Sequence, residues 1–228
     1  MNQLKHLFTL CLVVLTSTVT AASSSFSEGQ DYTKLPSSVR TEAPVAELIA
    51  NNPKKVQLLF FFSYGCSACA KFDPSFEKWA TTHQYNKLVI YREPVSFEDD
   101  WEMLAKLYFV MKTLDPKQDL NPKIFTAIHD QGLKLWQESA MQEFFTKQGY
   151  SAASFDQAYK SYNVELDVKR SDALAKAFDV NQTPCVIING ASGSYLLTMD
   201  HADGNASKFL QILDYMIKTE EKKISTPT

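Results

Sequence analysis

Two cysteines separated by two residues, Cys66 and Cys69, are the clearest chemical signal in this chain of 228 residues. An apolar, strand-like run precedes them, and a helical pattern begins at the first cysteine. In a first helical turn this spacing puts both sulfurs on one face, close enough to form or break a disulfide. Unpaired N–H groups and the helix dipole favour a thiolate at Cys66. The pattern predicts thiol–disulfide exchange; a structural disulfide and half of a zinc site are the alternatives.

The second chemical signal is the dipeptide Thr183-Pro184, which directly precedes an apolar run that starts at Cys185. A proline cannot donate to a β-ladder, so it is tolerated at the first residue of a strand. If the bond before Pro184 is cis, the Thr183 carbonyl and side chain turn toward the two sulfurs. Turns and strand starts often contain this dipeptide, so it becomes a strong signal only together with the upstream cysteine pair.

Residues 1–21 have the features of a secretory signal peptide: a weakly basic start, a short apolar core, and small residues before a cleavage site that leaves Ala22 first. The apolar core is too short to span a bilayer. Cleavage changes the formal net charge from -3 to -4, because Lys5 is the one charged residue removed. We therefore expect an exported, soluble protein without a basic face for nucleic acid or anionic lipid.

Three cysteines remain after export, because Cys11 lies inside the predicted leader. An odd number leaves at least one thiol unpaired within a monomer, which excludes a fold stapled by several disulfides. Cys185 is interpreted as a small buried apolar residue, and a third redox thiol near the pair is the alternative. No histidine stands at ligand spacing from the cysteines, so we expect no metal site.

The predicted elements follow the order strand, helix, strand, a block of helices, strand, strand and helix. This order describes a small α/β sheet domain with a helical domain inserted into one connection. The predicted strands are 56–62, 87–95, 185–190 and 195–198, and the predicted helices are 43–51, 66–83, 101–114, 124–129, 141–148, 155–162, 163–178 and 207–218. The predicted regions are a loosely ordered N-terminal arm (22–55), a sheet domain (56–97 and 179–220), an inserted helical domain whose last helix bridges back to the sheet (98–178), and a flexible tail (221–228).

Together these motifs resemble the thioredoxin superfamily, and specifically its DsbA-like branch of exported thiol oxidoreductases. The run Phe61-Phe62-Ser63 before Cys66-Ser67-Ala68-Cys69 is similar to the active-site strand and turn of that family. Trp101 with the following 104–108 is similar to the first helix of its inserted domain. Thr183-Pro184 before 186–190 looks like its cis-proline loop and following strand. The resemblance covers nearly all of the mature chain.

The resemblance implies a thioredoxin fold with an inserted α-helical domain, in a periplasmic protein that donates disulfides to folding exported proteins. We expect Cys66 and Cys69 to be catalytic and to need no cofactor beyond their own redox-active disulfide. The expected partners are unfolded or partly folded exported polypeptides and a membrane or soluble redox partner that resets the pair; the N-terminal arm is either a homodimer contact or a tether. Supporting residues are expected at Ser67, Ala68, Thr183 and Pro184, and substrate-groove residues at Tyr64, Gly65 and Gln182.

The chain departs from the family pattern in three ways. Ser67-Ala68 stands where the best-known active site has Pro-His, Phe60 where an acidic residue is often found, and Thr183 where valine often precedes the cis-proline. The first two changes remove a thiolate-stabilising histidine and a buried proton acceptor, a role for which Glu93 is a candidate. We therefore predict a milder oxidant in which Thr183 permits isomerase activity. A disulfide isomerase or reductase is the alternative, followed by a non-catalytic peptide-binding chaperone with an inert disulfide.

Overall fold

A five-stranded sheet with strand order β1-β5-β4-β2-β3 forms the centre of the structure, a computed structural model that describes residues 25–83 and 85–225. The predicted signal peptide lies outside these described residues. The central strands β2 and β4 are buried along their whole length, as expected for strands covered on both faces. β2 runs parallel to β3 and antiparallel to β4, and β4 and β5 form a hairpin. The strands are β1 (Thr33–Lys34), β2 (Val56–Phe62), β3 (Leu88–Pro94), β4 (Cys185–Asn189) and β5 (Ser194–Thr198).

Helix α2 (Ser67–Thr82) connects the parallel strands β2 and β3. Pro74 lies inside α2, and the apolar stripe continues past it to Trp79, as the sequence predicted. Five helices then separate β3 from β4, and this arrangement confirms the predicted thioredoxin fold with a helical insertion. They are α3 (Asp99–Leu114), α4 (Asn121–His129), α5 (Glu138–Lys147), α6 (Ala152–Tyr159) and α7 (Tyr162–Ala177). We propose that the inserted domain spans 98–178 and that the sheet domain consists of 56–97 and 179–220.

Helix α7 fastens the insertion to the sheet. Arg170 forms an ion pair at 3.1 Å with Glu93 of β3, whose side chain is fully buried. The Ser171 hydroxyl donates a hydrogen bond of 2.9 Å to the Pro94 carbonyl. Both contacts lie at the end of β3 that leads into the insertion, so the helical region is anchored close to the point at which the chain leaves the sheet.

The N-terminal arm is more ordered than the sequence predicted. β1 pairs antiparallel with β5, with Thr33 opposite Leu196. Helix α1 (Ala43–Asn51) has the predicted bounds and buries Val45 and Leu48 against the sheet. The prediction of a loose arm was wrong for β1, because a strand of two residues has no detectable hydrophobic period.

Helix α8 (Ala206–Ser225) also continues beyond its predicted end and includes five residues of the predicted flexible tail. Glu220 is buried and accepts a hydrogen bond of 2.8 Å from the Ser192 N–H of the β4–β5 hairpin, and Lys87 donates a hydrogen bond of 2.9 Å to Ser225. These polar contacts with the sheet domain extend the helix where its apolar stripe weakens. Residues 226–228 lie outside the described residues. Across the described ranges, no helix is both long and apolar enough to cross a bilayer.

Alternate residues of β2 face two separate apolar clusters. Phe60 and Phe62 belong to the cluster that contains α2 and α8, which we call the α2 face. Leu59 and Phe61 belong to the cluster that contains α1 and the end of α7, which we call the α7 face. Since side chains alternate along a strand, this division assigns the neighbouring strands' residues to the same two faces.

Candidate active site

Cys66 is the N-cap residue of α2, at the point where the chain leaves β2. The backbone N–H of Cys69 donates to Cys66 Sγ at 3.3 Å. The preceding turn is closed by the Cys66 N–H, which donates to the Ser63 carbonyl at 3.1 Å, and by the Gly65 N–H, which donates to Ser63 Oγ at 3.1 Å. A sulfur therefore occupies the place of the usual capping oxygen, where helix N–H groups and the helix dipole stabilise a negative charge.

The two thiols of the pair differ in exposure and acidity. Cys66 is half-buried and Cys69 is fully buried, and both are free thiols. A hydrogen bond from the Cys69 thiol is the main effect that lowers the pKa of Cys66 to about 5; contact with Thr183 adds to it, and partial burial opposes it. Burial raises the pKa of Cys69 well above its ordinary range, and its hydrogen bond to Cys66 raises it further. At neutral pH the accessible sulfur is a thiolate and the buried sulfur a thiol.

The Thr183–Pro184 peptide bond is cis, and the Thr183 carbonyl oxygen lies 3.4 Å from Cys66 Sγ. Pro184 is buried, Thr183 is half-buried and Gln182 is exposed. The structure thus brings the dipeptide beside the cysteine pair, as the sequence predicted. Ser67 and Ala68 are exposed on the first turn of α2, between the two sulfurs in sequence.

Tyr64 does not line an accessible groove, and the prediction that it does was wrong. Its side chain is fully buried, and its hydroxyl donates a hydrogen bond to Asn121 Oδ1 of α4. The turn before Cys66 reads as an exposed loop because the sequence does not reveal that the inserted helices cover it. Gly65 remains partly accessible, and Trp101 of α3 packs against it.

Cys185 lies on the α7 face, whereas Cys69 lies on the α2 face. Cys185 is the register partner of Phe61, which fixes this orientation. The side chain is 1% exposed, and burial raises its pKa to about 12. This geometry supports the interpretation as a buried apolar residue rather than a third redox thiol, and it prevents the three cysteines from converging on one metal ion.

Glu93 is likewise on the wrong face to accept a proton from Cys69. It is the register partner of Phe61 in β3 and pairs with Arg170 on the α7 face. Burial raises its pKa, and Arg170 opposes that effect. The candidate role that the sequence suggested for Glu93 was therefore wrong.

A charged cluster that the sequence analysis did not identify lies on the α2 face behind Cys69. Arg92 of β3 pairs with Asp73 at 2.8 Å and also with Glu77, both on α2. Arg92 is the register partner of Phe60, and its guanidinium lies 5.2 Å from the centre of that ring. Burial raises the pKa of Asp73, and Arg92 opposes that effect. The one sequence feature that could have indicated this cluster is the i, i+4 spacing of Asp73 after Cys69, which places the two side chains on the same side of α2.

The chain is similar to known proteins over most of its length. The family model described as a DSBA-like thioredoxin domain matches residues 57–207. A thiol:disulfide interchange protein DsbA from Bordetella parapertussis is 32% identical over 76% of this chain and 80% of its own length, and one from Burkholderia cepacia is 29% identical over 98% and 100%. The crystal structure of Pseudomonas aeruginosa DsbA has a TM-score of 0.76 at 24% identity, covering 88% of this chain and 97% of that one, which is a likeness of fold.

Proposed function

Because this chain belongs to the family of DSBA-like thioredoxin domains and is a thiol:disulfide oxidoreductase, we propose that Cys66 and Cys69 donate their disulfide to folding exported proteins. The observation that carries the proposal is the asymmetry of the pair: an accessible sulfur with a pKa lowered to about 5 beside a buried sulfur with a raised pKa. A low pKa of Cys66 stabilises the reduced pair, because Cys66 is then a thiolate at neutral pH. The disulfide is correspondingly a better oxidant.

The exchange begins when a substrate thiolate attacks Cys66 Sγ in the oxidised pair. A bond forms between the substrate sulfur and Cys66, the Cys66–Cys69 bond breaks, and Cys69 leaves and takes up a proton. A second substrate thiolate then attacks the first substrate sulfur, which releases Cys66 as a thiolate and leaves a disulfide in the substrate. Two electrons pass from the substrate dithiol to the cysteine pair. The acidity of Cys66 favours its departure in this second step.

The surface around Cys66 supports a substrate-binding role for the residues that remain accessible. We propose that Gln182, Thr183 and Gly65 line the groove, and that Ser67 and Ala68 border it. Phe97 is a further candidate contact, since it is 43% exposed and stacks on Trp101 with ring centres 5.9 Å apart. Trp101 in turn packs against Gly65. This apolar shelf beside the thiolate is suited to unfolded chains, which expose apolar side chains.

The remaining partner assignments follow from this chemistry. The pair needs no cofactor, because the electrons reside in the thiols; a membrane or soluble redox protein must remove them to reset the disulfide. We propose export to the periplasm through residues 1–21, and no nucleic-acid partner.

We further propose a homodimer that forms through the N-terminal arm. Sedimentation of the mature chain beside a chain that lacks 22–30 tests it; monomer mass in both excludes the dimer.

The oxidising strength of the cysteine pair follows from the acidity of Cys66. Activated cysteines have pKa values between about 3.5 and about 7.5. A Cys66 pKa of about 5 lies above the lower end of that range, where the strongest oxidants are found. One pKa unit corresponds to about 1.4 kcal/mol, or about 30 mV for a two-electron couple. We therefore propose a milder oxidant than the strongest family members, and a reduction potential equal to theirs would contradict this proposal.

The test of the function is the redox state of the cysteine pair at equilibrium in a series of glutathione buffers, measured by alkylation and mass spectrometry. We expect the pair to become reduced under mildly reducing conditions, in which a structural disulfide remains intact. A Cys185→Ala variant should give the same curve, because that thiol takes no part. A pair that stays oxidised until conditions are strongly reducing would exclude disulfide donation and leave a reductase or an inert bridge.

A further inference from the structure

One side of α4 holds Tyr64, the residue two positions before Cys66. Asn121, Phe125 and His129 stand at successive i, i+4 positions and therefore line the same side of the helix. The Tyr64 hydroxyl donates to Asn121 Oδ1, and the Phe125 ring meets the Tyr64 ring edge-on with centres 5.0 Å apart. His129 Nε2 lies 2.8 Å from the Tyr64 carbonyl oxygen. The hydroxyl, ring and backbone of one residue are thus contacted by one helix of the insertion.

Further contacts fix the direction of each of these interactions. The Asn121 side-chain amide donates to Asp119 Oδ1 at 2.5 Å, which turns its own oxygen toward Tyr64. Burial raises the pKa of Tyr64, so its phenol stays protonated and donates. Because a carbonyl oxygen can only accept, His129 Nε2 carries the proton in its bond to Tyr64. The His129 ring stacks on Phe125, with centres 6.2 Å apart.

The next residue in the chain is held by a second helix of the insertion. A Cβ atom at Gly65 would lie 2.5 Å from Trp101 Nε1, so the indole of α3 occupies the space that any side chain would need. The two residues immediately before Cys66 are therefore packed against α3 and α4, which lie outside the sheet domain. The cysteine itself follows without an intervening residue, so the position of this turn sets the position of its sulfur.

We propose that Asn121 and His129 are positioning residues, which hold the turn before Cys66 so that its sulfur receives the hydrogen bonds of the α2 N-terminus. This inference rests on the proposed function, because it concerns the same thiol. The effects that lower the pKa of Cys66 are hydrogen bonds to its sulfur, the one from the Cys69 thiol being the largest. Such bonds weaken steeply with distance and angle. Ser67 and Ala68 bring no charge that could compensate for a displaced sulfur.

The test is the titration of the Cys66 thiolate by its ultraviolet absorbance in His129→Leu, together with the glutathione equilibrium of the same variant. His129 lies at the exposed end of α4, so the variant should fold. We expect a higher Cys66 pKa and an equilibrium constant shifted about three- to tenfold toward the disulfide, tenfold being one pKa unit. His129→Gln keeps an N–H donor at the corresponding position and should restore most of the difference.

His83→Leu is the matched control. His83 also bonds a backbone carbonyl, that of Trp79 at 3.0 Å, but it does so at the opposite end of α2. Its loss should lower the free energy of unfolding without moving the Cys66 titration. A purely structural role for His129 would give the same result as this control.

Wild-type titration and redox equilibrium in His129→Leu would overturn the inference, and so would a His129→Gln protein that behaves like His129→Leu. If His129→Leu does not fold, Tyr64→Phe decides, because it removes only the hydroxyl that Asn121 accepts; an unchanged Cys66 pKa there overturns the inference as well. A wild-type Cys66 without an acidic titration would instead overturn the proposed function. The two failures are therefore distinguishable.

Discussion

The sulfur of Cys66 is surrounded by hydrogen-bond donors that come from the chain itself. The Cys69 N–H and the Cys69 thiol donate to it, a side-chain hydrogen bond with Thr183 also lowers its pKa, and burial is the main opposing effect. The acidity of the thiol is therefore a property of local geometry. It also makes Cys69 a participant in two ways, as the second sulfur of the disulfide and as a donor in the reduced state.

Replacement of Cys69 separates these two roles. Cys69→Ala removes the thiol donor and should raise the pKa of Cys66 by about one unit, whereas Cys69→Ser keeps a hydroxyl donor and should change it less. Titration of the Cys66 thiolate absorbance in the two variants, which both retain the buried Cys185, measures the difference. Equal pKa values in both variants would mean that the Cys69 side chain does not set the acidity of its neighbour.

The burial of Cys185 gives a second prediction for a single residue. In the native reduced protein, iodoacetamide should modify Cys66 first and Cys185 on the order of a hundredfold or more slowly, because a buried thiol with a raised pKa offers little thiolate. Mass spectrometry before and after addition of denaturant measures this order. Rapid native modification of Cys185 would contradict its position inside the α7 face.

At the scale of elements, Arg92 links β3 to α2 through Asp73 and Glu77. Removing one partner of a buried pair leaves an uncompensated charge, which costs more than the pair itself contributes. Arg92→Met should therefore lower the free energy of unfolding by about 3–5 kcal/mol, measured by urea denaturation. Adding Asp73→Asn to that variant should recover part of the loss.

The exposed pair Lys147–Glu143 provides the control for this experiment. Its two side chains are each 67% exposed and lie 2.7 Å apart at i, i+4 positions. Lys147→Met should cost far less than Arg92→Met, because solvent screens such pairs. A cost for Arg92→Met as small as that of Lys147→Met would show that β3 and α2 are joined by apolar packing alone.

Sequence patterns identified those elements that bury a continuous apolar stripe. The bounds of β2 and α1 match the prediction, because 56–62 is a nearly continuous apolar run and the helix-ending pair Asn52-Pro53 directly follows 43–51. β1 and the end of α8 depend on pairing with β5 and on polar contacts with distant residues, which no local pattern contains. The same limit explains the errors at Tyr64 and Glu93. The sequence suggested a groove residue and a proton acceptor, but the contacts that exclude these roles come from α4 and α7, which only the fold brings near them.

For the molecule as a whole, the acidity of Cys66 makes stability depend on redox state and pH. Its pKa is about 5 when folded, against about 8.5 for an unfolded cysteine. The lowered folded pKa stabilises the reduced protein fully above pH 8.5, and this stabilisation is lost as the pH falls toward 5. The oxidised protein has no such thiol and lacks the effect.

We therefore expect the free energy of unfolding of the reduced protein, relative to the oxidised one, to rise by about 2 kcal/mol between about pH 5 and about pH 8. This value is below that of the full pKa change, because solvent screens a half-exposed thiolate. Denaturant titrations of both redox states at each pH measure it. A difference that stays constant, or that falls with rising pH, would contradict an acidic Cys66.

The position of β4 between β2 and β5 has a consequence for the newly made chain. β2 and the cysteine pair are synthesised early, but their central neighbour in the sheet comes after all the helices of the insertion. Pairings between segments so distant in sequence form late. Thr183, which contacts Cys66, precedes β4 directly and arrives equally late. A nascent chain that has emerged only as far as α7 therefore lacks the contact between Thr183 and Cys66, and its two cysteines are open to oxidation before the sheet that covers them is complete.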